Sequence, residues 1–143
     1  MQIRKVLVVV AVIVAMGTAC EAEGTYVDQD LATPKLTVLA YCKSGVFDLK
    51  SKYFHFPDKQ IAHSKSAPLD WKNCKVITVE KTKLIGRELD SSLVRDGDVE
   101  VTLRVLEPDS NGTTAFSKYW FLLSDFDGNW KIISYSIISD DAT

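Results

Sequence analysis

The sequence predicts an α+β domain in which N-terminal helices pack on a four-stranded antiparallel meander. Three observations carry that expectation. Helix-like patterning is confined to residues 34–54. From Lys75 onward the chain turns β-branched, and its apolar residues largely alternate with polar ones. Turn signals then divide this half into four strand-like runs, so helices and strands are segregated along the chain.

Thr33-Pro34 starts the first helix. A threonine hydroxyl can cap the first turn, and proline there gives up an N–H that has no helical partner anyway. Leu36, Leu39 and Ala40 fit an i, i+3, i+4 apolar face, with Val38 and Cys42 alongside. Ser44-Gly45 ends the helix, because glycine accepts the left-handed cap. A second short helix is expected from Val46 to Phe54, stopped by Pro57. Residues 57–73 read as a polar connector containing His63, Pro68 and Trp71. The β-branched run Lys75 to Ile85 is the first strand, and Asp96-Gly97-Asp98 a turn. Val99, Val101, Leu103 and Val105 alternate with Glu100, Thr102 and Arg104, as in a half-buried strand. Pro108 to Gly112 is a hairpin loop with an Asn-Gly signal. In the third strand, Thr113 to Ser124, Phe116, Trp120 and Leu122 share one face, and Tyr119, Phe121 and Leu123 the other. With both faces apolar, that strand is expected to be central or to line a cavity. Asp125 to Asn129 turns the chain into a last strand, Trp130 to Ser139.

The N-terminus has the build of a secretory signal. Arg4 and Lys5 precede an unbroken apolar run from Val6 to Met16, then the small residues Gly17, Thr18 and Ala19. The run is too short to span a bilayer, which takes about 20 apolar residues. Gly17-x-Ala19 satisfies ordinary signal cleavage. The segment ending at Cys20 also resembles a bacterial lipobox, although Gly17 stands where an aliphatic residue is usual. Cysteine parity favours lipidation: with Cys20 acylated, Cys42 and Cys74 remain as an even pair suited to a disulfide in an oxidising compartment. The chain thus divides into a signal at 1–19, an acidic flexible tether at 20–32 and a domain at 33–143. It is expected to be exported and held on the periplasmic or cell-surface side of a membrane by lipid on Cys20.

Taking Arg4 and Lys5 from 17 basic residues leaves 15 against 19 acidic ones, so the mature chain is mildly acidic. Phosphate binding needs clustered Lys and Arg, which argues against nucleic acid as a partner.

The layout of residues 33–138 resembles the NTF2-like superfamily, in which a curved antiparallel sheet wraps N-terminal helices into a cone. The resemblance rests on Thr33-Pro34 leading into a helix with Ala40-Tyr41, on Ser44-Gly45 followed by a short second helix to Tyr53-Phe54, and on Asp98 to Val105. Its strongest part is Lys118-Tyr-Trp-Phe-Leu-Leu-Ser-Asp-Phe-Asp-Gly-Asn-Trp-Lys-Ile-Ile133. The superfamily holds both enzymes and non-catalytic envelope domains, so the fold alone carries no chemistry. By the same resemblance the domain is expected to pair as a homodimer through its sheet.

No catalytic residue set stands out. Proton-transfer members of the superfamily place Asp, His or Tyr inside the cone, which makes His55, or a carboxylate in the pocket, the residue an acid–base enzyme would use. His63 reads as solvated. The spacing of the two histidines matches no zinc pattern, and there is no phosphate loop or nucleophile elbow, so neither metal nor cofactor is expected. Tyr41, Tyr53, Tyr119, Trp120, Trp130 and Tyr135 are candidates either for core or for a pocket wall. The first expectation is a non-enzymatic, lipid-anchored envelope protein binding a small apolar ligand or a protein partner. The alternative is an isomerase- or dehydratase-type enzyme of the same fold.

Overall fold

The computed structural model describes residues 24–82 and 94–138. Cys20, the leader and the end of the first predicted strand beyond Thr82 lie outside the described residues.

Helix α1 runs from Pro34 to Ser44. The Thr33 hydroxyl accepts from the Leu36 N–H at 3.2 Å, and Gly45 closes the helix with a left-handed φ of 69°. Both ends stand where local chemistry put them. The buried face does not. Thr37, Val38, Tyr41 and Cys42 are the buried side chains, while Leu36 is 45% exposed. Positions 38, 41 and 42 form an i, i+3, i+4 stripe of their own, and it meets the sheet. The expected stripe of Leu36, Leu39 and Ala40 lies beside it, turned partly to solvent.

The second helix is not at 46–54. Val46–Phe47 is a short strand, β1, paired antiparallel with β2, Ala67–Pro68. The residues that follow make tight turns, because the Asp48 carboxylate accepts from the Lys50 N–H at 2.9 Å and its carbonyl from the Ser51 N–H. Pro57 caps rather than stops a helix, the single turn α2 from Asp58 to Ile61. The connector at 57–73 thus contains α2, β2 and the start of the next strand.

The main sheet has the predicted meander order: β3 (Lys72–Lys81), β4 (Val99–Pro108), β5 (Thr114–Phe126) and β6 (Asn129–Ile138), all antiparallel neighbours. Strand β5 is central, as its two apolar faces require. Val101, Leu103 and Val105 of β4 and Tyr119, Phe121 and Leu123 of β5 face α1 and form the core with Val38, Tyr41, Phe54 and Ile132. Register shifts in β3 and β6 bend the sheet's two edges. At the β6 edge, Tyr53 to His55 adds a short parallel contact: the His55 N–H donates to the Ile132 carbonyl at 2.9 Å, and the Ile132 N–H to Tyr53 at 2.7 Å. This partly covers an edge that would otherwise be open.

A disulfide joins Cys42 of α1 to Cys74 of β3, with the Cα atoms 6.5 Å apart. It ties the helix to the far edge strand. The segment expected to be a tether is fixed to the domain from Tyr26 on. Asn129 receives the Asp28 N–H and donates to the Tyr26 carbonyl. Lys52 bridges Asp28 and Asp30 at 3.0 and 2.7 Å, holding the Asp28 carboxyl below its usual range, and Leu31 is only 3% exposed. Ordered structure therefore begins before Thr33. Among the described residues no helix is long and apolar enough to cross a membrane.

Candidate functional site

Strand β4 builds the site by continuing its own alternation. Two residues beyond Val105, Glu107 comes to the same face of the sheet. A carboxylate there ends a row of three fully buried side chains. Its partners come from two directions. Tyr119, which lies on β5 opposite Leu103, donates its hydroxyl to Glu107 at 2.9 and 3.0 Å from the two oxygens. Trp71, just ahead of β3, donates its indole N–H to Oε2 at 2.9 Å. The Trp71 and Tyr119 rings are 4.5 Å apart.

Above this trio stands a cavity of about 480 Å³. Tyr41 reaches it from α1, with its ring edge-on to Trp71 at 5.7 Å and to Phe121 at 6.0 Å. Phe47 and Tyr135 form the opposite wall, their rings 5.7 Å apart. Pro68, Leu69 and Asp70 close one side, held by β1–β2 pairing and by the Leu69 N–H bonding the Gly45 carbonyl at 2.8 Å.

The tyrosines are shifted by this setting. Burial pushes the Tyr119 hydroxyl up to about 12, reinforced by its hydrogen bond to Glu107 and by that carboxylate's charge. Burial also raises Tyr41, with Tyr135 and Tyr119 adding to the effect. Both therefore keep their protons at neutral pH. Tyr119 donates its proton to Glu107. The Tyr41 hydroxyl lines the cavity and has no hydrogen-bond partner among the described residues. Among the described residues two carboxylates, Asp70 and Glu107, line the cavity, and no Lys, Arg or His does.

Of the aromatic residues singled out by sequence, the structure brings Tyr41, Tyr119 and Tyr135 together here. Trp130 packs against the core, and its carbonyl accepts from Thr37 at 2.9 Å. Tyr53 lies in a shallow groove beside Leu36, Leu39 and Lys43. Trp120 is on the other sheet face. His55 is outside the cavity. It is exposed near the β6 edge, with its ring 4.3 Å from Phe126 and no carboxylate bonded to it among the described residues. His63 is exposed after α2. The cavity carboxylate is instead Glu107, which sequence reasoning passed over although the alternation Val101, Leu103, Val105 pointed to it. No three metal-ligating side chains converge among the described residues.

The outer sheet face carries another depression, of about 520 Å³, where Lys75, Arg104 and Lys118 surround Phe116. The Arg104 guanidinium already lies over the Phe116 ring at 3.7 Å. It lacks the buried, fixed polar groups that give the inner cavity a defined orientation for a ligand.

No known family model, curated protein or solved structure matches this chain.

Proposed function

We propose that this chain is an exported, lipid-anchored envelope protein whose domain, of NTF2-like cone type, binds a small ligand of largely apolar surface without transforming it. The observation that carries the reading is the cavity between α1 and the sheet, with five aromatic rings around one carboxylate held by two donors. Its size and makeup suit a small-molecule site: mostly apolar walls, with few polar groups in fixed places. The leader, Cys20 and the even pair Cys42–Cys74 support export and anchoring.

An acid–base enzyme is the second reading, and Glu107 is what favours it, in place of His55. Both Glu107 oxygens already accept from neighbours, so the side chain is placed to hold rather than to move toward a substrate proton. Pairing of two copies through the outer sheet face has exposed Phe116 and Ile77 in its favour. Against it, Lys75, Arg104 and Lys118 would meet like charges.

The neutral fluorophore N-phenyl-1-naphthylamine tests the site. Its emission is expected to rise saturably with the protein and to be excited through Trp71. Leu69→Trp, which fills the cavity, is expected to abolish the signal. No saturable rise, or a rise untouched by Leu69→Trp, removes a largely apolar ligand from the reading. The intact mass of protein extracted from membranes tests the anchor: residues 20–143 plus diacylglycerol support it, and an unmodified soluble chain ends it.

A further inference from the structure

The walls of the cavity say more than that its ligand is apolar. Their rings do not stack on one another. Tyr41 meets Trp71 at 83°, Phe47 meets Tyr135 at 66°, and Trp71 meets Tyr119 at 46°. Tyr41, Trp71, Tyr119 and Tyr135, from separate elements, line the same cavity. The negative face of an aromatic ring attracts a cation, and Trp and Tyr do so best.

The charges agree. Glu107 is satisfied by an indole N–H and a phenol O–H, both neutral, so its negative charge is oriented but not cancelled. Asp70 stands at the same cavity with no ion-pair partner among the described residues. Tyr41 supplies an independent observation. The residue is 2% exposed, its hydroxyl has no partner among the described residues, and it lines the cavity, where its oxygen is free to accept.

We propose that the cavity is an aromatic cage for an organic cation, a ligand with an alkylated ammonium group among Tyr41, Trp71, Tyr119 and Tyr135 and its charge facing Glu107. This rests on the ligand-binding reading above and names the class of ligand. A neutral ligand would draw nothing from the charges of the two carboxylates at the cavity; an anion would be repelled by both.

The test sets choline against 3,3-dimethylbutan-1-ol, which has the same shape without the charge, as competitors of bound N-phenyl-1-naphthylamine. Choline is expected to compete at concentrations lower by about tenfold or more, the factor a desolvated cation–π site supplies. Glu107→Gln should erase that preference while the fluorophore still binds. Should Glu107→Gln fail to fold, Asp70→Asn, at an exposed position, should still narrow the preference. Equal competition by the two compounds overturns the cation proposal and leaves the apolar pocket standing. So does a preference for choline that survives both substitutions. If the fluorophore does not bind, saturation-transfer NMR on the choline N-methyl signal decides. A signal lost in Glu107→Gln upholds the cage, and no signal removes both readings.

Discussion

Gly128 shows how much can depend on one missing side chain. It follows Asp127 in the two-residue turn between β5 and β6, where both residues have positive φ, 56° and 85°. That geometry matches the twist of the paired strands. A Cβ at Gly128 would also stand 2.9 Å from the Val27 side chain. Gly128→Ala is therefore expected to cost about 1–3 kcal/mol in urea unfolding. Part of that loss should return in a Val27→Ala background, while the backbone part stays. Tyr119 makes a second prediction, on pH. Its folded pKa of about 12 lies above the ordinary tyrosine value of 10.0, so the folded state holds a proton that the unfolded chain releases first. The stability linked to it is complete below pH 10 and is lost as pH rises from 10 toward 12. Melting temperature followed across that window should fall less steeply in Tyr119→Phe than in the parent.

At the scale of elements, α1 and the turns were legible because their causes are local. A threonine cap, a proline in the first turn and a glycine at the end act within a few residues. Thr33→Ala should accordingly cost about 1 kcal/mol of unfolding free energy. The segment 46–54 was misread for the opposite reason. Its first residues pair with Ala67–Pro68, some twenty positions on, and nothing in the local pattern announces that partner. The connection between α1 and β3 is covalent. Opening a 32-residue separation between Cys42 and Cys74 should lower stability by about 3–4 kcal/mol, measured on the Cys42→Ser, Cys74→Ser double variant. Alkylation of the untreated native protein should modify neither cysteine; modification of both would refute the bond.

For the whole molecule, the N-terminal segment is part of the fold. Leu31 is buried, and the Asp28 and Asn129 contacts bind residues far apart in sequence. A chain beginning at Ala32 should be less stable by about 2–3 kcal/mol than one beginning at Gly24, chiefly through the lost burial of Leu31. Equal urea midpoints for the two would show that the segment contributes nothing. The cavity belongs to this scale too. Tyr41, Phe47, Trp71, Glu107, Tyr119 and Tyr135 come from a helix, three strands of the main sheet, the approach to its fourth strand, and the small sheet. Tyr41, Tyr119 and Tyr135 were among the aromatic residues the sequence singled out, and Glu107 was within reach of the alternation along β4. Trp71 stood alone in a polar stretch and gave no sign of its bond to Glu107.

By itself the sequence determined the α+β class, the bounds of α1, the meander and the central place of β5. Each follows from backbone sterics, caps and side-chain alternation, which operate between near neighbours. The tertiary structure alone decided which stripe of α1 is buried, where the short second helix lies, and that aromatic rings from separate elements leave a hollow around Glu107. Those outcomes depend on contacts between residues dozens of positions apart. Burial is settled by what the opposite surface offers: the Val38, Tyr41 and Cys42 stripe won because it meets Val101, Leu103, Phe121 and the Cys74 bond, while Leu36 meets solvent.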